Sequence, residues 1–399
     1  MLDTAATGVF EAAPATNGGA PVYIDHNATT PVDPAVLTAM LPYFTEHFGN
    51  PSSVEHAHGN AAQGAVERAR EETARAIGAR PPEVIFTGSC TEANNLAILG
   101  VARAQPGPRH FVTTQIEHPS VLEVFRALER EGHAVTYLGV DAEGRVDPDA
   151  VEAAFTGETV LVSVMAANNE VGTLQPIREI GRRCEARGIL FHSDLAQALA
   201  YTSVDVTRDH LHLASISGHK AYGPKGVGAL YVRSRAPRVR LAPVLFGGGQ
   251  ERGFRSGTVN VPLVVGLGAA LAIVERRRAA DAARLSEACR SLLARLEALG
   301  GVWLNGHPRE RLANNLSLSV EGVEPLALIR LLRTEASFSA SSACATHEVK
   351  TSHVLQAMFG DTWRARQAFR LAPGRFTTAA ELERVATALE SGIQRLRGS

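Results

Sequence analysis

Residues 84–140 read VIFTGSCTEANNLAILGVARAQPGPRHFVTTQIEHPSVLEVFRALEREGHAVTYLGV. Short apolar or β-branched runs at Val84–Ser89, His110–Gln115 and Ala134–Val140 alternate with two stretches, Glu92–Arg103 and Ser120–Arg130, whose apolar residues recur at helical spacing. Strand, helix, strand, helix, strand is the texture of a mainly parallel sheet with covering helices, because parallel neighbours need a crossover long enough to hold a helix. The pattern continues toward the C-terminus with runs at Val160–Asn168, Ile189–Leu195, Leu213–His219 and Gly228–Arg233, and with a helical stretch at Ile177–Arg187. Seven runs predict an α/β protein built on a seven-stranded, mainly parallel sheet.

Upstream, VYIDHNATTPVDP (22–34) runs from a short strand into a turn, and a helix is expected near Asp33 with Pro34 at its first position. Residues Asn60–Ile77 carry a further helical pattern. Beyond Arg233 the alternation stops. A glycine-rich segment, FGGGQERGFRSGT (246–258), leads into a long helical stretch from Val261 to Leu299, and then come short strands at Val302–Leu304, Asn315–Val320 and Ala368–Leu371 mixed with helices. The expected organisation is a large domain over 33–262 and a smaller α+β domain formed by 21–32 together with 263–399. Residues 1–20 have no basic start and no long apolar run, so they read as a disordered lead rather than a signal peptide or an anchor.

Composition narrows the function. The chain has 399 residues, 45% hydrophobic and 20% charged, which excludes fibrous and disordered classes. A net charge of -1 offers no general attraction for nucleic acid or anionic lipid, so small-molecule chemistry is expected, without direct nucleic-acid or membrane binding. Four cysteines, Cys90, Cys184, Cys289 and Cys344, show no C-x-x-C spacing, which fits a reducing cytoplasm rather than a disulfide framework or zinc knuckle.

Several residues could carry chemistry, each with a plainer reading beside it. Lys220 ends the run SISGHK (215–220); it is either a desolvated nucleophile or Schiff-base lysine, or a lysine that snorkels to water. Asp194, in ILFHSDLAQ (189–197), either pairs with a protonated pyridine nitrogen or caps a following helix. His192 and Asp194 lack a third ligand at a sensible spacing, so no metal is expected. Thr91, at the first strand-to-helix junction, either contacts a phosphate or serves as a helix cap. His118 and Asn169 follow other strands at the carboxyl edge, where open α/β sheets bind ligands. Cys344 lies in SFSASSACATHE (337–348), a small-residue loop suited to an accessible nucleophile, whereas Cys184 and Cys289 read as helix core and Cys90 as a small residue packed at a turn. Arg370 either clamps a carboxylate through a bidentate pair or makes a surface ion pair.

Taken together, these stretches resemble the cysteine desulfurases of the NifS/IscS type, within the aspartate-aminotransferase-like fold (fold type I) of pyridoxal-phosphate enzymes. NATTPVDP (27–34), FGNPSS (48–53), FTGSCTEANNLA (86–97), EHPSV (117–121), NNEVGT (168–173), HSDLAQ (192–197), SGHKAYGPKGVGALY (217–231), GGGQERGFRSGT (247–258), SSAC (341–344) and PGRFTT (373–378) carry the likeness, in the family's order. The resemblance implies pyridoxal 5'-phosphate as cofactor, held as a Schiff base by Lys220. Asp194 would pair with the ring nitrogen, Gln197 with the phenolic oxygen, and His118 would stack on the ring and shuttle a proton. Thr91, Ser217 and His219 would hold the phosphate beside Cys90, with Thr258 reaching it from the other subunit of a homodimer. Asn169, Asn27 and Arg370 would orient L-cysteine, and Cys344 would take its sulfur as a persulfide, leaving alanine.

The chain departs from the family pattern at Ser341, where glycine is common, at Cys90, where alanine or glycine is common, and at Pro373, beside the carboxylate clamp. The segment CATHEVKTSHVL (344–355) looks like the desulfurases that supply DNA phosphorothioation, while iron–sulfur scaffold loading and tRNA thiolation stay open as fates of the sulfur. Two alternatives compete: a selenocysteine lyase or other C–S lyase that needs no cysteine, and a catalytically silent docking partner.

Overall fold

A computed structural model describes residues 20–341 and 351–398. The expected N-terminal lead, apart from its last residue, and Cys344 lie outside the described residues.

The strands in chain order are β1 Val22–Tyr23, β2 Val84–Thr87, β3 His110–Thr114, β4 Ala134–Leu138, β5 Thr159–Ser163, β6 Leu190–Asp194, β7 Leu213–Ser217, β8 Gly228–Val232, β9 Val302–Asn305, β10 Leu316–Val320, β11 Ala336–Ser337, β12 Ser339–Ala340 and β13 Ala368–Leu371. Seven of them form one sheet in the order β2-β8-β7-β6-β5-β3-β4. Only β8 runs antiparallel to its neighbours. It can do so because the ten residues 218–227 that join it to β7 form a loop with no crossover helix.

The sheet is covered on both faces, which is why its inner strands are almost continuously apolar. Side chains alternate across it. Ile85, Phe111, Leu161, Leu213 and Leu230 meet the helices Cys90–Arg103 and Pro119–Arg130 on one face. Phe86, Val112, Val162, Ala214 and Tyr231 meet the helices Ala57–Ala76, Ile177–Ala186 and the first half of Val261–Glu297 on the other.

At 37 residues, that last helix is about 55 Å long. Its N-terminal half packs Val264, Leu267 and Leu271 into the sheet core. Its C-terminal half delivers Cys289, Leu292 and Leu296 to a second core around the antiparallel sheet β12-β13-β10-β9, which Val22 and Ile24 also enter.

Two sequence expectations need correction. Lys220 does not end a strand: β7 stops at Ser217, and Gly218 begins a turn closed by Ala221 N to Gly218 O at 3.0 Å. No helix follows Asp194 either, since residues 196–201 are turns, so Asp194 caps a turn through Ala196 N at 2.9 Å.

Candidate active site

The carboxyl ends of the parallel strands open into a cavity of about 810 Å³. Every described candidate except Thr258 lines it: Asn27, Cys90, Thr91, His118, Asn169, Asp194, Gln197, Ser217, His219, Lys220 and Arg370. Thr258 is exposed and lies off the cavity of its own chain.

Lys220 does not snorkel. Its Nζ donates to the carbonyls of Asn27 and Ala28, the latter at 2.8 Å. Burial, reinforced by the positive charge of Arg370, lowers its pKa to about 8. An amine in that state releases its proton far more readily than a solvated lysine. Asn27 O also accepts from Gln197 Nε2 at 2.9 Å, so one carbonyl gathers both side chains.

Asp194 is held from the opposite side. Its Oδ2 accepts from Asn94 Nδ2 at 2.8 Å, and its Oδ1 lies 3.5 Å from the Cys90 thiol. Cys90 and Asn94 stand four apart on one helix, so both reach the same carboxylate. Burial and the Asp194 charge push the Cys90 thiol well above its usual range, leaving it a neutral donor rather than a second nucleophile.

The helix Cys90–Arg103 starts where an anion would sit. Ser89 is its N-cap and accepts from Glu92 N at 3.1 Å, so capping falls to Ser89 and the Thr91 hydroxyl is spared that duty. Gly228 lies so close beneath this turn that a Cβ there would stand 2.6 Å from Ser89 C and 2.9 Å from Cys90 N. Ser217 is buried at the end of β7 on the cavity wall. His219 is anchored by Thr29 Oγ1, 3.1 Å from its Nδ1. Burial, with Lys220 and Lys225, lowers its pKa to about 4, so its imidazole is neutral.

His118 caps the helix Pro119–Arg130, its Nδ1 accepting from Ser120 N at 3.1 Å. Burial lowers its pKa. Arg370, on β13, is buried and already engaged. Its guanidinium donates to Asn169 O at 2.7 Å and to Asp25 Oδ1 at 2.6 Å, while Nε finds no acceptor among the described residues. Asp25 is in turn fixed by Ser339 Oγ at 2.5 Å. Asn27 is buried and bridges the walls, with Oδ1 accepting from Asn314 Nδ2 at 3.0 Å.

Sequence reading missed Asp25, Asn94, Glu117 and Ser120. Asn94 carried a signal: it is a polar residue spaced i, i+4 from Cys90 on the inner face of an otherwise apolar helix. Glu117 is buried with Oε1 bonded to Thr114 Oγ1 at 2.9 Å and Met165 N at 2.8 Å, and burial raises its pKa to about 8. His192, by contrast, lies within the sheet, its two ring nitrogens taken by Ser163 and Ser215 at 2.8 and 2.9 Å.

These residues fit pyridoxal phosphate. A carboxylate, a desolvated lysine amine and an open helix N-terminus converge on one cavity, and the glycine at 228 leaves room for that terminus to approach.

That convergence marks a fold-type I pyridoxal-phosphate protein, and the chain belongs to the class-V aminotransferase family, whose pattern matches residues 22–385. Among its relatives is the protein named cysteine desulfurase IscS of Rickettsia bellii (strain OSU 85-389), 45% identical over 379 residues, 94% of this chain and 92% of that protein. A structure described as a NifS-like protein superposes with a TM-score of 0.87 at 35% identity, covering 95% of this chain and 100% of that one. A second, described as SspA in complex with cysteine, gives 0.79 at 36% identity, covering 90% and 100%.

Proposed function

We infer that this protein is a pyridoxal-phosphate-dependent cysteine desulfurase that converts L-cysteine to L-alanine and receives the sulfur on Cys344. The observation that carries the reading is the meeting of Lys220, Asp194 and the N-terminus of helix Cys90–Arg103 around one cavity. Family membership and the relatives named above support the same reaction.

Lys220 would bind the cofactor, Asp194 would keep its ring nitrogen protonated, and Gln197 would face its phenolic oxygen. Thr91, Ser217, His219 and the first amides of the helix would receive its phosphate, with Thr258 contributed by the second subunit of a homodimer. When bound, pyridoxal phosphate supplies an electron sink for the carbanion formed at the substrate's α-carbon. Lys220, lowered to about pKa 8, takes the α-proton as a base. Arg370, steadied by Asp25, turns its remaining donors to the substrate carboxylate, and Asn27 and Asn169 shape the same wall. The Cys344 thiolate attacks the substrate sulfur: the S–S bond forms, the C–S bond breaks and its electron pair stays with the β-carbon, which takes a proton, while Lys220 returns a proton to the α-carbon to give alanine. The persulfide then passes to an acceptor protein, an iron–sulfur scaffold or a thiolation or phosphorothioation enzyme. We place the reaction in the cytoplasm, whose reducing conditions suit cysteines without C-x-x-C spacing.

The test is mass spectrometry of peptides from two portions of the yellow protein, one reduced with borohydride before any cysteine is added, the other exposed briefly to cysteine and alkylated without reduction. Cofactor mass on Lys220 and one added sulfur on Cys344 are expected. Undiminished alanine production by a Cys344→Ser variant would favour a C–S lyase instead. Colourless protein that binds no pyridoxal phosphate would leave a docking role.

A further inference from the structure

His118 Nδ1 lies 2.8 Å from Ser120 Oγ and 3.1 Å from Ser120 N. Ser120 Oγ is 2.9 Å from Asn94 Nδ2, and that nitrogen is 2.8 Å from Asp194 Oδ2. Four side chains thus form one row from the carboxylate to the imidazole.

The hydrogens in this row have one consistent direction. An ionised carboxylate only accepts, so Asn94 must present its NH2 group to Asp194 and its second N–H to Ser120 Oγ. The reversed amide would set Oδ1 against the carboxylate. Ser120 Oγ accepts from Asn94 and turns its own hydrogen to His118 Nδ1. The backbone N–H of Ser120 can only donate, and it points at the same nitrogen. Two donors on Nδ1 demand a lone pair there, which leaves the ring proton on Nε2.

We propose that Ser120 is a positioning residue that holds His118 as the Nε2–H tautomer, through a one-way hydrogen-bond relay anchored on Asp194. His118 therefore meets the reacting atoms as a proton donor at Nε2, and protonating Nδ1 sacrifices the bond from the Ser120 backbone N–H and forces the Ser120 hydroxyl to turn round and accept. Around the imidazole, Asp194 favours the charged form, Lys220 and His353 oppose it, and burial opposes it most. The proposal rests on the desulfurase reading for the catalytic part of His118, but the tautomer is a resting-state property that exists whether or not the enzyme turns over.

The test is nitrogen–proton correlation spectroscopy of the holoenzyme labelled with 15N-histidine, with His118 assigned by its loss in a His118→Gln variant. Wild-type protein should show an unprotonated Nδ1 and a protonated Nε2 near neutral pH. Ser120→Ala removes the hydroxyl partner of Nδ1, so the Nδ1 resonance should move and the titration midpoint shift by roughly half to one pH unit. Ser120→Thr keeps the hydroxyl and should restore both. A proton on Nδ1 in the wild-type enzyme overturns the proposal, as does a Ser120→Ala midpoint equal to wild type. The wild-type spectrum decides the tautomer even if Ser120→Ala fails to fold.

Discussion

Lys220 stores a cost in the apoenzyme that the cofactor bond would remove. Its folded pKa of about 8 lies below the 10.5 of a free lysine, so between those values the unfolded chain holds the extra proton. The burden on the folded state is complete below about pH 8 and fades as pH rises toward 10.5. Apoenzyme carrying Lys220→Met should therefore resist urea better than wild-type apoenzyme at pH 7, by roughly 1–2 kcal/mol. Measured at rising pH, the gap should close; a gap constant from about pH 7 to 10 would show that packing, not charge, is responsible. Arg370 gives a second test at this scale. Arg370→Lys keeps the charge but loses the planar fork that holds Asp25 and Asn169 O, so the KM for cysteine should rise about ten- to hundredfold with a smaller change in kcat. Steady-state kinetics checks the split.

Among the elements, the helix Cys90–Arg103 does the most for the site. It offers its amide terminus to an anion, its Cys90 and Asn94 side chains to Asp194, and its apolar face to the sheet. Gly228 sets how closely β8 approaches that terminus. Gly228→Ala would force Ser89 and Cys90 outward, with an expected loss of about 1–3 kcal/mol by overpacking. Cofactor affinity should fall more than stability predicts, because the displaced atoms belong to the helix terminus proposed to receive the cofactor's phosphate. Thermal melting and a pyridoxal-phosphate titration separate the two effects. The sequence made this helix legible through its apolar period, and even its start was read within two residues. The cap stayed open in the sequence because Ser89 and Thr91 are both good capping residues, and only backbone geometry assigned the duty to Ser89.

Across the whole molecule, Arg375 ties the two cores together. Its guanidinium donates to Asp33 at 2.9 Å and Asp281 at 2.7 Å and stacks 4.2 Å over the ring of Tyr222, two residues from Lys220. Asp33 caps the first helix, Asp281 belongs to the helix that joins the cores, and Arg375 itself donates its backbone N–H to the Tyr222 hydroxyl at 2.6 Å. Arg375→Met would take the ion partner from buried Asp33 and leave buried Asp281 with only Arg277, 3.5 Å away, and a loss of about 3–5 kcal/mol in denaturant titration is expected. Adding Asp33→Asn and Asp281→Asn should recover part of it.

By itself the sequence determined the order of strands and helices, the mainly parallel sheet and the strand-end position of Asp194. Periodicity and turn chemistry are local, and the strand that feeds a parallel sheet has no choice about which end faces its ligand. The motifs also linked Lys220 and Cys344 to one reaction before any contact was known. Only the tertiary structure decided that Asn27 O receives Lys220, that Asp25 steadies Arg370, and that Asn94 and Ser120 join Asp194 to His118. Apart from the His118–Ser120 contact, which is two residues long, those partners are separated by 26 to 345 residues along the chain. No local pattern records such pairs, because what brings them together is the burial of two hydrophobic cores, and a buried polar group takes whichever partner that packing delivers.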